Sequence, residues 1–107
     1  MTDSATVREI IAEYEKHGWT PRRALLSAES ESLLSKSLTD KIEIEPSDLD
    51  ALWFSRRSKP ESEAWELRRL SGSPFALIAI ISSAMSSEEF EATLEQVADE
   101  MRAKTIA

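Results

Sequence analysis

The chain has no cysteine, one histidine and two glycines. Without cysteine there are no disulfides, no thiolate metal ligands and no thiol nucleophile. Gly18 and Gly72 are too few to build a G-x-G-x-x-G phosphate loop, and no G-x-S-x-G elbow occurs. His17 falls at the end of a helical pattern, where a cation suits the helix C-terminus, and no general-base partner is evident for it. The alternating acids Glu43, Glu45, Asp48 and Asp50 lack the spacing and closing glutamate of a calcium loop. These absences point to a non-enzymatic protein with no cofactor and no metal. The longest apolar run, Phe75 to Ile81, is far too short to span a bilayer. The opening Met1-Thr-Asp-Ser shows no basic-then-apolar signal pattern, so no membrane and a cytoplasmic setting are expected.

What is present is acidic charge, arranged in blocks. The net charge is −7 over 107 residues. Residues 1–18, 28–50 and 86–107 carry −2, −5 and −4, whereas residues 19–27 and 51–71 carry +2 each. The overall sign argues against nucleic acid, whose phosphates need a positive field. The length and the 41% hydrophobic content suit a single domain, residues 1–107, with one core.

Periodicity separates helices from strands. Val7, Ile10, Ile11 and Tyr14 form one stripe of a helix over 6–17, with Thr6 to Glu9 as a capping box and Gly18 as its stop. Phe90, Leu94, Val97 and Met101 do the same for 86–103, opened by the capping box Ser86 to Glu89. Residues 29–38 form a weaker helix, because serine lowers its propensity. Strands are expected at 19–27, 41–45, 51–57, 64–70 and 75–82. Pro46 should end the second, and Ser71-Gly-Ser-Pro74 should turn the chain before the last. The unalternating run 75–82 reads as a central strand covered on both faces. A rival assignment makes 60–71 a helix, with Pro60 at its start and Gly72 past its end, and lets Ser47 cap a helix through Trp53.

All three tryptophans open the pattern W-x-x-R-R, at Trp19, Trp53 and Trp65, using six of the eight arginines. On a strand this places the Trp and second Arg on one face and the first Arg on the other. Pairing residue 57 with 65 sets Trp53 opposite Arg69 and Arg57 opposite Trp65, two cross-strand cation–π contacts worth about 0.5–1 kcal/mol each when exposed. Leu70 then meets Phe75. The expected fold is α+β: a two-layer sandwich with a mainly antiparallel sheet of four or five strands, and the N- and C-terminal helices packed on one face. The opposite face gathers Phe54, Arg56, Arg68 and Phe75. Such a mixed aromatic–arginine surface suits a protein interface, and homodimerisation or an acidic protein partner is expected there. The alternative is that residues 28–50 fold across it. Arg23, Arg57 and Arg69 are candidates for a small anionic ligand. Functions in keeping with this reading are a small acidic binding or regulatory module, a chaperone or adaptor for a protein client, and, third, an enzyme using carboxylates and arginines on a small anion.

Overall fold

The computed structural model describes residues 4–34, 42–70 and 75–105. In chain order these form α1 (Ser4–Lys16), β1 (Thr20–Leu26), α2 (Ala28–Leu34), β2 (Glu43–Pro46), β3 (Ala51–Lys59), β4 (Ser62–Arg69), β5 (Ala76–Ser82) and α3 (Ser87–Thr105). The fold is α+β. The five strands make one sheet in the order β2-β1-β3-β4-β5, antiparallel throughout except for the parallel β1–β2 pair. Residues 62–69 are therefore extended, and the rival helix over 60–71 is not formed. No helix capped by Ser47 forms either; the Ser47 hydroxyl accepts from the Leu49 amide in a turn, and β3 begins at Ala51. The segment 71–74 and the latter part of the expected helix over 29–38 lie outside the described residues.

Local chemistry sets the element ends. Gly18 takes φ +87°, the left-handed conformation, and the amides of His17, Gly18 and Trp19 close the end of α1 on the carbonyls of Tyr14 and Glu15. The Ser86–Glu89 box forms as expected: the Glu89 amide donates to the Ser86 hydroxyl, and the Ser86 amide donates to the Glu89 carboxylate, both at 3.1 Å. Its counterpart at Thr6–Glu9 does not start α1, which already begins at Ser4. Pro46 is where the second strand ends, as expected. It is part of β2, whose outer edge needs no amide donor.

The sheet is covered on both sides, which corrects the expected placement of both terminal helices on one face. Along β3, Ala51 and Trp53 join Leu25, Trp65, Leu67, Ala79 and Ile81 in a cluster sealed by Leu94, Val97, Ala98 and Met101 of α3. Leu52 and Phe54 point the other way, into a cluster with Val7, Ala24, Leu26, Leu34, Ile42 and Leu70, against which Ile10, Ile11 and Tyr14 of α1 pack. The physical reason is the two-residue periodicity: β3 is apolar on both faces from Ala51 to Phe54, so each face recruits its own helix. Part of residues 28–50 does cover the α1 side, as the alternative reading had it, through Ser30, Leu34 and Ile42.

Register differs from expectation at two ladders. Ser55 faces Trp65 and Arg57 faces Glu63, a shift of two residues from the expected pairing. The cause is the tight Pro60–Glu61 turn, which lets both strands run further than their apolar parts suggest. An even shift preserves which face each side chain takes but changes every partner. Trp53 meets Leu67 instead of Arg69, and Phe54 meets Glu66 instead of Arg68. Arg68 pairs with Ala76, and Arg69 donates its amide to the Phe75 carbonyl at 2.9 Å, one residue out of the expected Leu70–Phe75 match. That odd shift turns every side chain of β5 to the opposite face.

Candidate functional site

Of the four residues expected to share a docking surface, Phe54, Arg56 and Arg68 lie on the α1 side of the sheet and Phe75 does not. Phe54 is fully buried, with the Tyr14 ring stacked on it at 4.0 Å between centroids. Arg56 is exposed on the α1 side, its guanidinium 4.9 Å from the Trp19 ring centroid and donating to the His17 carbonyl at 3.2 Å. Arg68 is half-buried and donates to the Arg69 carbonyl. Phe75 packs on the α3 side of the sheet. The odd register shift of β5 carried Phe75 away from Phe54 and brought Ile78 and Ile80 in its place.

Guanidinium–aromatic stacking does occur, with other partners than the W-x-x-R-R pattern implied. A bulge in β1 between Pro21 and Arg23 slips the ladder to β3. A bulge turns neighbouring side chains to one side. Arg22 lies 5.3 Å from the Trp65 ring and Arg23 lies 5.5 Å from the Phe90 ring, both against the α3-side cluster. The sequence signal for this was Pro21, which cannot donate in a ladder and so favours an irregular strand start.

The three candidate anion-binding arginines share the α3-side face without converging. Arg23 is the most engaged. It makes a two-pronged hydrogen bond to Glu91 of α3, at 2.8 and 2.7 Å, and lies 3.7 Å from both Glu43 and Glu45 of β2. The Arg23 hydrogen bond holds the Glu91 carboxyl below its ordinary range. Arg102 does the same for Asp48, at 2.8 Å, and also binds Asp99. Between these two arginines opens a groove of about 220 Å³ over Leu25, Trp53 and Leu94. Its cations are matched by carboxylates, and these pairs clasp α3 to β1 and to the segment after β2. Arg57 faces Glu63 near the β3–β4 turn, and Arg69 faces Ala51 at the other end of the same ladder.

A second hollow, about 330 Å³, is bounded by Glu13, Tyr14, His17, Trp19, Arg56 and Glu66. Tyr14 donates to the Glu66 carboxylate, and burial followed by that bond pushes the phenol pKa up. The phenol keeps its proton and pins α1 onto β4. His17, one residue past the end of α1, lies 3.2 Å from Glu13 of that helix and is exposed. Among the described residues no group of three or more His, Asp or Glu is arranged to hold a metal ion, and no helix is long and apolar enough to cross a membrane.

The feature that remains is β5. It is the last strand of the sheet and pairs with β4 along its whole length without irregularity. Ala79 and Ile81 are buried under α3. Ile78 and Ile80, on the α1 side, are 56% and 58% exposed. Next to them on β4 lie Glu66 and Arg68, across from Ile78 and Ala76. α1 reaches as far as Glu66 and leaves β5 open. The run Phe75–Ser82 had read as a strand covered on both faces; in the monomer it is an edge strand with one face bare. Ile78 and Ile80 are the exposed apolar residues that sequence reasoning missed. Their signal was the missing alternation itself, which cannot distinguish a central strand from an edge strand with one face exposed. A search for relatives finds no matching family model, curated protein or solved structure.

Proposed function

We propose that this chain is a small, acidic, non-enzymatic binding module that works as a homodimer, joined through the bare β4–β5 half of its sheet, in a cytoplasmic setting. The observation that carries this reading is the pair Ile78 and Ile80, exposed side by side on an uncharged strand of an otherwise acidic chain. Isolated surface isoleucines are ordinary, but two adjacent ones on a long edge strand form a patch of the kind that marks an interface. The arginines support a binding role over a catalytic one. Arg23 and Arg102 are committed to carboxylates that fasten α3, and Arg22 and Arg56 lie over indole rings.

Sedimentation equilibrium on the wild type and on the Ile78→Lys/Ile80→Lys variant tests the proposal. The wild type is expected to be dimeric and the variant monomeric, with unchanged circular dichroism. A wild type that stays monomeric over the whole micromolar range would end the dimer reading.

A further inference from the structure

We propose that the two copies join edge to edge, β5 against the partner's β5, antiparallel, about a two-fold axis passing beside Ala79, so that the two sheets become one. This rests on the homodimer reading above and specifies its geometry.

The backbone of β5 decides which groups are available. The Arg69 amide donates to the Phe75 carbonyl and the Ser83 amide donates to the Glu61 carbonyl, so these are hydrogen-bonded pairs at either end of the β4–β5 ladder. With the continuous register between them, Phe75, Leu77, Ala79 and Ile81 turn their amides and carbonyls toward β4. Ala76, Ile78, Ile80 and Ser82 therefore direct theirs outward, along the free edge. An antiparallel neighbour must present outward-facing residues to outward-facing residues if both strands are to be satisfied.

A second copy of the same strand meets that condition. Centring the axis on Ala79, the midpoint of Ala76–Ser82, gives the longest overlap. Ala76 then pairs with the partner's Ser82, and Ile78 with the partner's Ile80. Each of these outward residues finds an outward residue. On the α1 side the exposed Ile78 and Ile80 of one copy abut those of the other, making a single apolar cluster from two half-bare patches.

The absence of charge on the strand is what lets a copy of this chain pair with it. In a two-fold antiparallel pair, a charge on the strand meets its own copy or a near neighbour of it, which is destabilising. This chain carries −7, yet nothing between Phe75 and Ser82 is charged. The edge also lacks what ordinarily discourages pairing: it has no lysine, no proline and no bulge. The residue types on it are those a self-pairing edge requires.

The absence of native cysteine makes the register directly readable. Three single-cysteine variants, Ile78→Cys, Ala79→Cys and Ile80→Cys, would be oxidised and run on a non-reducing gel. With the axis at Ala79, that residue faces its own copy as a non-hydrogen-bonded pair, about 4.5 Å between Cα atoms, within disulfide reach. Ala79→Cys is expected to convert mostly to the double-mass band, and Ile78→Cys and Ile80→Cys to remain largely single. An equimolar mixture of the Ile78→Cys and Ile80→Cys proteins should cross-link to each other. These two positions are exposed, so the mixture reads the register even if a cysteine beneath α3 disturbs the fold. Preferential self-linking at residue 78 or 80 would overturn the Ala79 axis. A dimer in sedimentation with no cross-link at any of the three positions would overturn edge pairing while leaving the homodimer standing. No dimer in sedimentation would end both.

Discussion

The sheet has two edges, and they are built on opposite principles. β2 is four residues long, contains Glu43, Glu45 and Pro46, and is tethered through Arg23 to α3. A short strand with charge and proline offers little to a passing backbone. β5 is seven residues long, carries no charge and no proline, and keeps a regular ladder along its length. An acidic chain that placed all its charge elsewhere left this edge able to pair. The difference shows that edge protection here is selective, which is the contrast the proposed dimer rests on.

The largest expected effect belongs to neither edge. Phe54 lies in the central strand, fully buried and stacked on Tyr14. Phe54→Ala should cost about 3–5 kcal/mol, from lost burial and a residual cavity. Urea unfolding should show the midpoint falling with the transition still single, because the centre of the sheet supports both halves. If the loss were under 1 kcal/mol, the α1-side cluster would not be part of the cooperative core, and neither edge could be treated as resting on a common sheet.

The next effect distinguishes the edges from each other. Ile78→Lys or Ile80→Lys alone should weaken self-association by at least tenfold, about 1.4 kcal/mol, while leaving monomer stability within about 0.5 kcal/mol, since both side chains are already exposed. Ile44→Lys on β2, at the other edge, should lower monomer stability, because Ile44 is partly buried against the α1-side cluster, and leave the association constant unchanged. Analytical ultracentrifugation of the three variants reads both halves of the comparison. Equal weakening at both edges would show that added charge, and not the β5 edge, controls assembly.

The contrast was only partly visible in the residues. The strand and helix positions followed from periodicity, and the capping box at Ser86 and the left-handed Gly18 were legible because one residue type carries each. Registers were not. The Pro60–Glu61 turn set the β3–β4 ladder two residues from the pairing that W-x-x-R-R suggested, and pairwise compatibility could not detect this, since Trp53 accepts Leu67 as readily as Arg69. For β5 a shift of one residue exchanged Phe75 for Ile78 and Ile80 on the α1 side, so the face expected to carry Phe75 carries two isoleucines instead. Strand order was the other gap. An unalternating apolar run does not say whether the strand lies at the centre of the sheet or at its edge with one face exposed.

A smaller effect probes how β2 is held. Arg23→Met keeps most of the apolar stem while removing the hydrogen bonds to Glu91 and the positive charge that faces Glu43 and Glu45. The carboxylates are more than one-third exposed, so solvent screens the pairs and the loss should be about 1 kcal/mol or less. It should appear as faster amide hydrogen exchange in β2 and the first turns of α3, with β4–β5 unaltered. Loosening that reached β5 would mean the two edges are not independent.

The smallest effect is in pH. Glu91 and Asp48 have pKa values below their ordinary 4.5 and 3.8 because Arg23 and Arg102 hydrogen-bond their charged forms. A depressed carboxylate contributes stability that is fully present above its unfolded-state pKa and is lost as pH falls through the folded-state value. The clasp on α3 should therefore be constant from about pH 7 to about pH 5 and weaken only below the ordinary carboxylate values. The Arg23→Met variant should show a shallower acid slope in its denaturant midpoint. β5 has no titratable side chain; on its bare face the adjoining acid is Glu66, which accepts from Tyr14. Self-association should accordingly stay level over the same interval. A dimer that dissociated between about pH 7 and about pH 5 would place an ionisable group at the contact and move the interface off the neutral edge.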